Sequence, residues 1–141
     1  MKRNASVAWK GGFKDGTGSI STDSGVLSNT PYSFKARFGD EAGTNPEELI
    51  AAAHAGCFTM ALSLELDQAG LTADRINTTA AVTLEKTDGG FAITAVHLNV
   101  TARVPGATKD AFETAANNAK AGCPVSKVLN ARITMDARLE E

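Results

Sequence analysis

Thr44-Asn45-Pro46-Glu47-Glu48, followed by Leu-Ile-Ala-Ala-Ala-His-Ala-Gly-Cys57-Phe-Thr-Met-Ala-Leu-Ser-Leu64, is the stretch whose reading decides the fold. Thr44 or Asn45 can cap a helix. Pro46 suits its first position, where an N–H would have no partner. Glu47 and Glu48 put negative charge where the helix dipole is positive. Four turns with almost no polar side chain follow, and Gly70 reads as the residue just past the end. A helix that is apolar nearly all round must be covered on more than one side. Ala51, Ala52, Ala53, Ala55 and Gly56 would let other backbone approach closely. A bilayer is the competing environment. The apolar run 49–64 is shorter than the roughly 20 residues a span requires, is mostly Ala and Gly, and contains His54 and Ser63. A long core helix is the better reading.

Outward from that helix, the chain is mostly strand. On the N-terminal side, Val7-Ala8-Trp9 and residues 18–22 read as strands separated by the Gly11-Gly12 and Asp15-Gly16 turns. Tyr32, Phe34 and Phe38 alternate with polar residues, which predicts a third strand over 32–38 with Arg37 facing away from Phe34 and Phe38. On the C-terminal side, residues 77–86 alternate, residues 87–90 turn, and residues 91–104 return as a long strand. The apolar parity of that return strand slips between Ile93 and Val96, as a β-bulge near Thr94-Ala95 would produce. Residues 108–121 show helical spacing behind a Thr108 cap. Gly122 ends that helix, and Pro124 starts a short one with Cys123 at its head. Ile133, Met135, Ala137 and Leu139 alternate in a closing strand. Strands gathered before and after helices predict an α+β fold in a single domain over 1–141.

Composition narrows the function. The chain has 141 residues, 43% hydrophobic and 21% charged, with a net charge of -2. It has no run of Lys or Arg, which argues against a nucleic-acid or anionic-membrane partner. The N-terminus has no apolar signal segment, so a cytoplasmic protein with reduced thiols is expected. Two cysteines do not make a disulfide scaffold. Cys57, among Ala55, Gly56, Phe58 and Met60, has by itself the profile of an inert core thiol whose pKa burial raises. Cys123, at a helix start, is either a small apolar plug or a thiol disposed to ionise. His54 lies three residues before Cys57, but zinc would need two further ligands, and only Cys123 and His97 remain. No phosphate-binding glycine loop, nucleophile elbow or paired acid–base carboxylates appear.

Two motifs together resemble a known family. Thr44-Asn45-Pro46-Glu47-Glu48-Leu49 ahead of Ala-Ala-His-Ala-Gly-Cys57-Phe58, then Ala121-Gly122-Cys123-Pro124-Val125-Ser126, are similar to the osmotically inducible protein C / organic hydroperoxide resistance (OsmC/Ohr) family. Ser24-Gly25-Val26-Leu27, Pro31-Tyr32-Ser33-Phe34 and Arg37-Phe38 resemble its OsmC branch. The resemblance implies an OsmC-like fold, with antiparallel sheets wrapped around a long central buried helix. It also implies a thiol peroxidase acting on organic hydroperoxides without a cofactor or metal. Cys57 would be the peroxidatic cysteine, Cys123 the resolving one, and Arg37 and Glu47 the pair at the thiolate. A Cys57 sulfenic acid would condense with Cys123 to a disulfide, reopened by a dithiol such as a lipoylated protein. A non-enzymatic thiol sensor or stress-induced binding protein is the alternative, although the sequence offers no basic helix for DNA.

Helix geometry adds one expectation. Glu47 and Cys57 are ten residues apart, a rise of about 15 Å. Glu47 therefore cannot reach the Cys57 of its own helix, and the apolar helix also lacks enough cover from one small sheet. Both features predict an intertwined homodimer in which Glu47 serves the partner's thiol.

Overall fold

A computed structural model of the chain describes residues 1–141. It contains two compact units, Met1–Leu49 and Ile50–Glu141. The boundary between them falls in the first turn of the long helix.

In the first unit, β1 (Ala5–Lys10), β2 (Thr17–Thr22) and β3 (Thr30–Tyr32) form an antiparallel sheet in that order. Gly18 in β2 is required by its neighbours. A methyl group there would come within 2.3 Å of the Tyr32 ring and 2.7 Å of the Trp9 ring. The strand expected over 32–38 stops at Tyr32, and α1 (Phe34–Phe38) follows. Ser33 is the reason: its Oγ accepts from the Ala36 amide at 3.0 Å and caps a helical turn. Phe34 and Phe38 therefore meet one turn apart, with ring centroids 4.9 Å apart. Arg37 leaves a helix rather than the far face of a strand.

Helix α2 spans Pro46–Gln68. Asn45 is its cap, its Oδ1 accepting from the Glu48 amide at 2.8 Å, and Gly70 follows its end with φ +77°. At 23 residues it is longer than the apolar run in the sequence suggests, and its length and composition would suit a bilayer. Its buried residues, His54, Phe58, Leu62 and Leu66, instead form one stripe at i, i+4 spacing within the protein core. The remaining faces are open. Met60 is 77% and Leu64 55% exposed. The chain thus covers the expected buried helix on one face only.

The second unit closes on that stripe with a sheet ordered β4-β5-β6. β4 (Arg75–Thr87) and β5 (Gly90–Arg103) form the expected hairpin. Thr83 pairs with Ala95 and Leu84 with Ile93, leaving Thr94 as the extra residue of the bulge. Beyond it Val96, Leu98, Val100 and Ala102 all face the core. β6 (Arg132–Leu139) runs parallel to β5, so the sheets are not wholly antiparallel as expected. The connection carries α3 (Lys109–Gly122) and α4 (Pro124–Val128), long enough for the crossover that parallel pairing needs. α3 contributes Phe112, Ala115, Ala116 and Ala119 to the core and leads directly to Cys123.

Candidate active site

The second unit brings the two cysteines together. Cys57 projects from the middle of α2, and Cys123 is the residue at the junction of α3 and α4. Both are free thiols, and they lie close enough for Cys123 to influence the ionisation of Cys57. Gly122-Cys123-Pro124 explains the placement. α3 ends, the Cys123 backbone is extended, and Pro124 restarts the helix at once. Cys123 then works as a cap, its Sγ accepting from the Ser126 amide at 3.4 Å. Burial, more than any other influence, pushes the Cys57 thiol up. The neighbouring Cys123 adds to the rise, and the Val125 amide pulls against it. Cys57 is partly exposed, whereas Cys123 is fully buried.

A hydroxyl and an imidazole continue the chain of contacts inward. Ser126 Oγ lies 3.2 Å from Cys123 Sγ and 2.8 Å from His54 Nε2. His54 is fully buried, and its Nδ1 has no partner. Burial lowers its pKa below the ordinary 6.5, so the ring is held neutral. His54, considered in the sequence only as an incomplete metal ligand, is instead bonded to a serine 72 residues away. Nothing at Ser126 marked it as its partner. No group of three or more His, Cys, Asp or Glu side chains is gathered for a metal ion.

The first unit holds the arginine and the glutamate. Arg37 Nη2 donates to Glu47 Oε1 at 2.7 Å, and Arg37 Nε lies 3.2 Å from both carboxylate oxygens. The fork-on-carboxylate geometry fixes the guanidinium in direction as well as position. Its carbon sits 5.3 Å from the centre of the Phe38 ring, a cation–π contact. Glu48, the other acidic residue of the first turn, instead accepts from Thr44 Oγ1 at 2.8 Å. The carboxylate for the arginine is therefore Glu47. Glu47 is on the first turn of α2, and Cys57 stands further along the same helix.

Fold and site together define a class: an α+β protein whose long helix offers one thiol to a second thiol at a helix cap, and which carries a fixed Arg–Glu pair. The family described as OsmC-like protein matches residues 39–138, and the chain belongs to that family. It is 55% identical over 140 residues to peroxiredoxin OsmC of Escherichia coli K12, covering 99% of this chain and 98% of that protein. It is 29% identical to the organic hydroperoxide resistance protein OhrB of Bacillus subtilis, covering 96% and 95%. The crystal structure of OhrB superposes with a TM-score of 0.68 at 28% identity, covering 97% of this chain and 98% of that one. An OsmC-like protein of unknown function from Vibrio cholerae, 19% identical over 97% of this chain and 99% of its own, shares the fold at a TM-score of 0.77.

Proposed function

We propose that this chain is a thiol peroxidase that reduces organic hydroperoxides to alcohols. The observation that carries the proposal is the neighbouring pair of free thiols, one partly exposed and one buried. The Cys57 thiolate attacks the distal oxygen of the hydroperoxide. The O–O bond breaks, the alkoxide takes a proton and leaves as alcohol, and Cys57 becomes a sulfenic acid. The Cys123 sulfur then attacks the Cys57 sulfur, water leaves, and a disulfide forms before further oxidation can occur. A dithiol from outside, such as a dihydrolipoyl group on a partner protein, returns both sulfurs to thiols. A cytoplasmic location fits this reducing cycle.

Cys57 needs a cation to become a thiolate, since burial and Cys123 both oppose ionisation. Arg37 is the residue suited to supply it, and Glu47 is the residue that aims it. The two are bonded to each other within one chain, so they travel as a unit. With Glu47 about 15 Å of helix rise before Cys57, we assign the Arg37–Glu47 pair of each chain to the thiol of a second copy. The open faces of α2, with Met60 and Leu64 exposed, give that copy an apolar surface to cover. Residues 1–141 then act as one OsmC-like domain within a homodimer containing two composite sites.

Complementation tests both parts. With tert-butyl hydroperoxide and dihydrolipoamide, Cys57→Ser should be inactive and Arg37→Met about 10- to 100-fold slower than wild type. Mixed dimers of the two variants regain activity, because one site then has an intact Cys57 and an intact Arg37. Activity in neither the mixture nor the wild type sinks the peroxidase. A wild type that turns over while the mixture stays no faster than Arg37→Met alone sinks the composite site. So does an active monomer by gel filtration and small-angle scattering.

A further inference from the structure

We propose that His54 and Ser126 form a proton relay that makes Cys123 a nucleophile for the second chemical step. Cys123 must lose a proton to attack the oxidised Cys57, yet its sulfur is buried from water. Near neutral pH bulk base reaches such a buried thiol poorly, so a base inside the protein is better placed to take the proton. Ser126 Oγ touches Cys123 Sγ at 3.2 Å and His54 Nε2 at 2.8 Å, an unbroken path from thiol to imidazole.

Two features distinguish this arrangement from a core histidine held for packing. First, a histidine fixed in one tautomer usually has its second nitrogen bonded to a carbonyl or carboxylate. Here Nδ1 has no partner, so nothing outside the relay decides whether Nε2 accepts or donates. Second, Ser126 contributes twice to the same sulfur. Its amide donates to Cys123 Sγ at 3.4 Å and its hydroxyl lies on the other side of the contact, so the thiolate is met by two donors as soon as it forms.

The step balances as follows. The S–H proton of Cys123 passes to Ser126 Oγ as the Ser126 O–H proton passes to His54 Nε2. The Cys123 thiolate forms an S–S bond with the Cys57 sulfenic sulfur, and the Cys57 S–O bond breaks. The departing hydroxide takes a proton back from the imidazolium and leaves as water. Cys123 sulfur is oxidised and Cys57 sulfur is reduced, with no further reactant.

Few titratable groups compete for this proton. The titratable group bonded to the relay is Cys123 itself. Lys127 on α4 is exposed, and His97 on β5 alternates with core residues Val96 and Leu98 and so lies on the other face of the sheet. On α3, Lys109 and Asp110 are exposed, and Glu113 and Lys120 are partly so. No Asp, Glu, Lys or Arg is buried. Because burial keeps His54 neutral, the base is available throughout the neutral range.

The relay rests on the proposed Cys57–Cys123 cycle, and the test separates the two. Reduced protein is mixed with one equivalent of tert-butyl hydroperoxide, and sulfenic acid formation and disulfide formation are timed separately from pH 6 to 9. A second arm replaces the peroxide with diamide. Cys57 adds across its N=N bond, and Cys123 must then displace the hydrazine, so the same second step is read without any peroxidase activity. In wild type, disulfide formation changes little with pH in the neutral range. In Ser126→Ala and His54→Gln it falls about 100-fold at pH 7 relative to the first step, the scale of a lost general base. It then climbs with pH as hydroxide replaces the missing base. Ser126→Thr, which keeps the hydroxyl, retains the wild-type profile. If the Ala and Gln variants form the disulfide at the wild-type rate, or run slower by the same factor at every pH, the relay is wrong. The second outcome would leave Ser126 and His54 as mere fasteners of α4. Loss of the peroxide arm with the diamide result intact would remove the peroxidase and keep the relay.

Discussion

The two units of this chain spend their residues differently. Of the buried hydrophobic residues, only Ile20 and Ala36 belong to the first unit, and every residue of β1 is exposed. The second unit holds a continuous core from Phe58 on α2 through Val96–Val104 to Phe112 and Cys123. The first unit presents a charged pair with Arg37 35% exposed, and the second holds two free thiols, one of them buried. The difference follows from what each group needs. A buried thiol is kept from stray oxidants, and a sheet-backed core provides that. A guanidinium is costly to bury alone and is better kept at the surface until something covers it. A unit with so little interior of its own gains much of its order from what packs on it.

The largest effect that could break this contrast is at the thiols. Cys57→Ser should lower hydroperoxide reduction by roughly four orders of magnitude or more, as nucleophile deletions do in other covalent enzymes. Retained turnover in a coupled peroxide assay would move the chemistry elsewhere. Cys123→Ser should consume one equivalent of peroxide and stop, with mass spectrometry showing Cys57 heavier by oxygen.

Next is the charged pair. Arg37→Met should cost about 10- to 100-fold, the worth of a charge-assisted bond of about 1.5–3 kcal/mol. Removing the cation leaves Cys57 harder to ionise, so the rise of kcat/KM with pH should move to higher pH. Glu47→Gln keeps the guanidinium but loosens its aim, and a smaller loss with a smaller shift is expected. Equal, pH-independent losses in the two variants would make the pair structural.

Packing comes third. Phe112→Ala, at a fully buried position, should destabilise the protein by about 3–5 kcal/mol in urea unfolding. Ile20→Ala should cost less in dilute protein and more as concentration rises, if a second copy completes the first unit. The smallest effect is acid sensitivity. His54 takes up a proton more easily unfolded than folded, so stability is full above about pH 6.5 and falls as pH drops toward the depressed folded value. His54→Gln should flatten that limb in thermal melts between pH 5 and 7.

Much of this was legible in the residues, and the exceptions have physical reasons. Asn45-Pro46 announced α2, the parity slip announced the Thr94 bulge, and Thr108 and Pro124 marked two helix starts, because caps and breaks are local. Phe34 and Phe38 are four apart, a spacing that serves a period of two and a helical turn equally well. Only the Ser33 cap decided for the helix. The direction of β6 leaves no trace in its alternation, although two helices between β5 and β6 were a signal for a crossover. Cys57, Cys123, Arg37 and Glu47 are candidates from the sequence because their motifs are contiguous. The bond between His54 and Ser126 is a tertiary event with no sequence spacing of its own.

The bulge in β5 also says where this gene can lose a codon. Thr94 has no partner across the ladder, while Ile93 and Ala95 pair with the adjacent residues Leu84 and Thr83. Deleting residue 94 would straighten the strand and leave every other pairing in register. Deleting a residue a few positions later would carry the rest of β5 to the opposite face and put its valines and leucine in water. A deletion scan across this strand should therefore show one permissive position in an otherwise intolerant run, and that position is an irregularity rather than a loop.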